Sequence, residues 1–250
     1  MATVWHQIGM VHEQTGHFEA SEQAYRQSLA IEVRENDLPG QATTLGALGN
    51  LYHRMGRMEE AATFYRQSAE NYTRSGNLAG EGKSQYNLAR VLIGLRRFDD
   101  ARQELQRAIE CKELYGHAAE PWKTWATLEE LERATGHTQE AHTARHCAIE
   151  TYLAYRHAGG DSQSTQHQLF TLVTQAIQQN THNELAQQLN TLLKPDNPPW
   201  YTALIQQLHS ILTGHPDPTT TNHEVDPVHA AELQLLLETL SQHKPGKTQK

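Results

Sequence analysis

A pattern of small and apolar residues returns every 40 positions through the first 160 residues, and it leaves few folds open. In the stretch Leu45 to Ala69, LGALGNLYHRMGRMEEAATFYRQSA, the residues Leu45, Leu48, Gly49 and Tyr52 fall on one helical face. After a break at Met55-Gly56-Arg57, Ala61, Ala62, Tyr65 and Ala69 fall on another. Two such helices joined by a short turn make a hairpin. The same shift superimposes Trp5, Ile8, Gly9, Ser21 and Tyr25 upstream, and Leu88, Ala89, Leu92, Ala101, Leu105 and Ala108 downstream, followed by Trp125, Leu128, Ala141 and Ala148. The turn column reads Gly16, Gly56, Arg96, Gly136, and the column Gly40, Gly80, Glu120, Gly160 marks the joins between hairpins.

These residues resemble the tetratricopeptide repeat, whose signature is Trp-x2-Leu-Gly-x2-Tyr, then Ala-x3-Phe, then Pro. Hairpin two carries Leu45-x2-Leu48-Gly49-x2-Tyr52 and Ala61-x3-Tyr65. Hairpin three keeps the apolar positions without the turn glycine, and hairpin four places Glu129, Glu132 and Arg145 where small or apolar residues are expected. The family period is about 34 residues, so about six extra residues per unit lengthen either the helices or their connection. The resemblance covers about residues 1–160 and implies an all-α, right-handed superhelical solenoid of four hairpins, at about 3–40, 41–80, 81–120 and 121–160. No hairpin buries its apolar face alone, so each must stack on the next. Close approach within a hairpin is expected at Gly9, Gly49 and Ala89 against Ser21, Ala61 and Ala101, with Tyr25, Tyr65 and Leu105 filling the layer between hairpins.

Composition changes after the repeats: every arginine lies at or before Arg156, and the remainder is rich in Gln and Thr. Helical stripes nonetheless continue at Leu169, Leu172, Val173, Ala176 and Ile177; at Leu185, Leu189, Leu192 and Leu193; and at Leu204, Ile205, Leu208, Ile211 and Leu212. A further stripe, Leu233, Leu236, Leu237 and Leu240, follows Asp226 as a cap and Pro227 in a first turn. Residues 161–243 therefore read as a small irregular helical cap over the last repeat, and 244–250 as a disordered tail.

An apolar content of 37% suits thin stacked layers, and a net charge of -8 argues against nucleic acid or an anionic membrane as the main partner. No apolar run is long enough to span a bilayer and no signal peptide precedes the first repeat, so a cytoplasmic chain is expected. Cys111 and Cys147 sit in different repeats without a framework pattern, as ordinary thiols in a reducing compartment do.

Catalytic patterns are missing. His142 and His146 share a helical face with His137 in the turn before them, but HTARH lacks the glutamate of HExxH, and no metal or other cofactor is expected. GNLAGEGKS, Gly76 to Ser84, has one residue too many for a phosphate loop and follows a helix. Glu59-Glu60 and Asp99-Asp100 read as favourable charge at helix N-termini.

The inner lining of such an array comes mainly from the first helix of each hairpin. There His6, Met10 and Glu13 are followed by the candidate partner-binding set: Asn50, His53 and Arg54; Lys83, Tyr86, Asn87 and Arg90; and Lys123. An amide side chain pairs with both the N–H and the C=O of an extended peptide. Asn50, Asn87 and Lys123 match three members of the family's five-residue two-carboxylate clamp, while Gly46 and Thr127 occupy its other two positions, so the complete clamp is absent. The chain reads as a non-enzymatic module that binds a protein or peptide in its concave groove. Its layout is also similar to the carboxy-terminal sensor arrays of bacterial multidomain (STAND-type) ATPases. The alternative is self-assembly through Trp5 and Ile8, whose side away from the array has nothing to cover it; the same feature reads as the place for further repeats upstream of Met1.

Overall fold

The computed structural model describes residues 1–115, 119–160, 165–179, 181–214 and 225–242. The expected tail, 244–250, lies outside the described residues, and the expected end of hairpin four, Gly159 to Ser162, lies partly outside them. Among those residues the chain is all helical, and it divides by packing into two units, Met1–Ala144 and Arg145–Lys250.

The first unit is a stack of hairpins: α1 (Ala2–Gln14) with α2 (Phe18–Arg34), α3 (Leu38–Arg54) with α4 (Met58–Ser75), α5 (Leu78–Gly94) with α6 (Phe98–Glu113), then α7 (Pro121–Ala134) and the start of α8 (Thr138–His157). Each helix of α1 to α6 packs on its hairpin partner, and α2, α4 and α6 also pack on the first helix of the next hairpin. The extra residues of the period lengthen the helices, which run to 17 residues in α2, α3 and α5 and 18 in α4.

One turn recurs four times. Gly16, Gly56, Arg96 and Gly136 all take the left-handed conformation, with φ of 79°, 75°, 59° and 82°. Behind each, an amide reaches five residues back, from His17 to His12, Arg57 to Tyr52, Arg97 to Leu92 and His137 to Glu132, at 2.8–2.9 Å, and so closes the orphan carbonyls of the helix end. Arg96 holds the turn without glycine, which is why hairpin three keeps its register.

The joins differ from the sequence expectation. Leu38-Pro39-Gly40 does not end hairpin one but forms the first turn of α3, because Asp37 accepts the Gly40 N–H at 3.0 Å and proline needs no donor there. Asn77 caps α5 at Gly80 in the same way, also at 3.0 Å. The left-handed residues of these joins are Asn36 and Gly76, not Gly40 and Gly80. Gly80 is needed for space instead: a Cβ there would stand 2.6 Å from the Tyr72 ring.

Within hairpins the tyrosines also sit differently from expectation. Tyr25 and Tyr65 do not fill the layer between hairpins but lie flat on the glycine of their own, where a Cβ on Gly9 or Gly49 would come within 2.6–2.7 Å of the ring. Tyr25 is fully buried, so it is not part of any uncovered surface. Two serines in one repeat column tie the two helices of their own hairpins: Ser28 donates to the Ala2 carbonyl at 2.8 Å, and Ser68 to the Ala42 carbonyl at 2.7 Å. The charged departures of hairpin four are buried with partners, since Glu132 receives a two-pronged contact from Arg102 at 2.6 and 2.9 Å and Glu129 lies 3.7 Å from Arg133.

In the second unit α9 (Thr165–Gln178), α10 (His182–Thr191), α11 (Pro199–Leu212) and α12 (Pro227–Gln242) enclose a core of Phe170, Val173, Leu189, Leu204, Ile205, Leu208 and Leu236. Asp226 accepts the N–H groups of Val228 and His229 at 3.0 and 3.2 Å, as the sequence led one to expect of a cap. Arg145 donates to the Val225 carbonyl at 2.6 Å and Tyr152 to Glu232 at 2.6 Å, so the second half of α8 is tied to α12 and the residues before it. Leu172, Leu192 and Leu237 lie at stripe edges and are exposed.

Candidate interaction groove

Hairpins one to three line an open cavity of about 280 Å³ on the side of their first helices. His6, Met10 and Glu13 come from α1, Thr43, Gly46, Ala47 and Asn50 from α3, and Lys83, Ser84 and Asn87 from α5. The second helices add Tyr25, Tyr65, Ser68 and Tyr72. Of the expected set, Asn50, Lys83 and Asn87 are brought together here. His53, Arg54, Tyr86, Arg90 and Lys123 stand outside the lining.

The tyrosines explain how the polar wall is held. Each ring crosses the face of its glycine and delivers its hydroxyl to a first-helix side chain, Tyr25 to Glu13 Oε2 at 2.9 Å and Tyr65 to Asn50 Oδ1 at 2.7 Å. With its oxygen engaged, Asn50 presents its amide N–H groups as donors. Burial raises the Tyr65 phenol to about 12 and also pushes Tyr25 up, so both remain donors throughout the physiological range. Gly46 keeps a backbone approach open above Ser68.

Glu13 is further engaged by Arg54 at 3.1 Å, whose guanidinium lies over the Phe18 ring. Arg54 is thus a strut between hairpins one and two. Also on α1, His6 Nδ1 is 3.0 Å from the Thr44 hydroxyl, which in turn donates to the buried Glu32 at 3.0 Å. Burial lowers the His6 pKa, against the pull of Glu32 and Glu13, so the ring is neutral at pH 7.

Past the cavity the groove becomes basic. Lys112 stands 4.7 Å and Arg90 5.9 Å from the Tyr86 ring centroid, and the Tyr86 hydroxyl is 3.3 Å from Thr127. Lys123 is held by Glu120 at 2.6 Å, and His53 is half-buried on α3. Lys83 and Arg90 are exposed cations on a chain of net charge -8. Among the described residues no three His, Cys, Asp or Glu side chains converge as a metal site would require. No described helix is long and apolar enough to cross a membrane.

The second-helix tyrosines are the part of this wall that periodicity alone misplaces. Their signal in the sequence is the pairing of Gly9 with Tyr25 and of Gly49 with Tyr65, a ring opposite a missing side chain.

Stacked antiparallel hairpins with a recurring turn and a lined inner face define a helical-repeat solenoid of the kind that holds other proteins. Residues 1–74 and 83–119 match two family models, each described as tetratricopeptide repeat. Among solved structures the chain is similar to BtubC (BKLC) from P. vanneervenii, at 18% identity over 97% of this chain and 82% of that one, with a TM-score of 0.55. It is also similar to the apo form of RapI, at 12% identity over 95% and 84% of the two chains, again with a TM-score of 0.55. At these identities the likeness concerns the fold. No curated protein matches the sequence. Tetratricopeptide repeats are in general protein-interaction scaffolds.

Proposed function

We propose that the chain captures an extended segment of a partner protein in the groove of hairpins one to four. The observation that carries this reading is the wall of oriented polar groups: Asn50 held by a tyrosine hydroxyl, with Asn87 and Lys83 beside it around one cavity. Amide groups on a groove wall suit an extended backbone, which offers N–H and C=O groups in alternation. The exposed Lys83 and Arg90, with Lys112 over Tyr86, favour a segment carrying carboxylates toward hairpins three and four. His53, Arg54 and Lys123 act in this reading at the margins, Arg54 by holding Glu13 in place. In the setting of a sensor array, filling of this groove would be the event sensed. The self-assembly alternative draws on another surface, the outer face of α1.

Replacing Asn50, Asn87 and Arg90 together by Ala is expected to weaken partner capture at least tenfold. Arg90 is exposed and Asn87 half-buried, so the main stability cost is the Tyr65 hydroxyl bond lost with Asn50, about 1 kcal/mol, and the fold should persist. Affinity measured by calorimetry and helicity followed by circular dichroism check the two statements. Unchanged affinity would remove these residues from the site.

A further inference from the structure

The face of α1 turned away from α2 and α3 is an apolar groove of about 500 Å³ lined by Thr3, Val4, Gln7, Ile8, Val11 and His12. Val4 and Val11 are each 58% exposed, Trp5 37% and Ile8 36%. The repeat shows what such a face takes. One period on, the same columns hold Thr44, Leu45, Leu48 and Leu51, and two and three periods on they hold Leu88 with Val91 and Leu128 with Leu131, all buried. In each case the cover is the second helix of the preceding hairpin, α2 on α3, α4 on α5 and α6 on α7.

We infer that the outer face of α1 is a docking site for the second helix of a further repeat hairpin, supplied by polypeptide outside residues 1–250. Its chemistry follows from the three covers the chain already contains. Each carries a large apolar residue and an apolar residue eleven positions later: Phe18 and Leu29; Met58 and Ala69; Phe98 and Ile109. The α1 face is also uncharged, because the one acidic residue of the helix, Glu13, is turned to Tyr25 and Arg54.

One polar position adds selectivity. His12 stands in the column of Tyr52 and Glu132, which meet Glu22 and Arg102 from the preceding second helix. A docking helix with a carboxylate in that column would accept a hydrogen bond from His12.

A fusion placing a copy of residues 1–40 directly before Met1 keeps the period and sets a copy of α2 against α1. Amide exchange over Ile8 to Gln14 is expected to slow by an order of magnitude or more relative to the parent chain, roughly to the level of the same columns in α3. Glu at the Phe18 and Leu29 positions of the added copy alone should abolish that slowing. A second fusion carries residues 41–80, so that a copy that fails to fold does not leave the question open. Exchange in α1 unchanged by both fusions would overturn the inference. So would sedimentation equilibrium showing that the parent chain forms a dimer abolished by Ile8→Glu, because the face would then be made for a second copy of the chain.

Discussion

Leu48→Ala is expected to destabilise the Met1–Ala144 unit by about 2–5 kcal/mol, the range for emptying a fully buried leucine site. Leu48 has no solvent exposure and belongs to the same core as Leu51, Tyr52, Leu88 and Leu92. Its neighbours are the helices of two hairpins, so collapse around the cavity would have to move whole helices, and the cost should fall in the upper part of the range. Ile8 occupies the same column one period earlier but is 36% exposed, and Ile8→Ala should cost under about 1.5 kcal/mol because part of the side chain is never taken out of water. Urea unfolding of the two variants, followed by far-ultraviolet circular dichroism, separates the cases. Equal costs would contradict the layered burial described above.

Arg102→Met is the second large effect, expected at about 1–3 kcal/mol. Glu132 is almost fully buried and Arg102 supplies its two-pronged contact, so removing the guanidinium leaves a carboxylate short of compensation inside the stack. Breaking a fully buried pair costs about 3–5 kcal/mol. The figure here is lower because Arg102 is 30% exposed and His137 also lies 3.0 Å from the carboxylate. The repeat itself supplies the rescue. In the preceding join the two columns hold Ala62 and Leu92, both buried, and the contact is wholly apolar. Arg102→Ala combined with Glu132→Leu should therefore recover most of the loss, since apolar replacement of a buried ion pair is often neutral or stabilising. A double variant no more stable than Arg102→Met in urea would show that the pair does more than fill its layer.

Much of the fold could be read from spacing, because a repeat of 40 residues displays each packing column several times. The turn at Gly56 and the faces around Leu48 and Leu88 needed nothing beyond helical periodicity. What periodicity could not place was set by local chemistry. Asp37 and Asn77 start helices earlier than the glycines suggested, because a side-chain cap outweighs the reluctance of Pro39 and Gly40 to enter a helix only at the first turn. Arg96 adopts a glycine-like turn, which residue type alone would disfavour. The tyrosines were misplaced because a column shows which residues recur, not whether a ring points along the stack or across its own hairpin. Of the groove set, Asn50, Lys83 and Asn87 meet at one cavity because their columns lie on adjacent first helices, while the cross-links from Tyr25, Tyr65 and Arg54 involve long side chains whose reach no spacing encodes.

Site-specific photo-crosslinking addresses the groove most directly. With p-benzoylphenylalanine at Tyr86 or Lys83, the account predicts one discrete adduct, lost when an acidic peptide mapped from that adduct is added in excess. The same group at Gln103, exposed on α6, should give none. An adduct of equal yield from Gln103, or none from either groove position while the chain still captures its partner, would contradict binding in the groove.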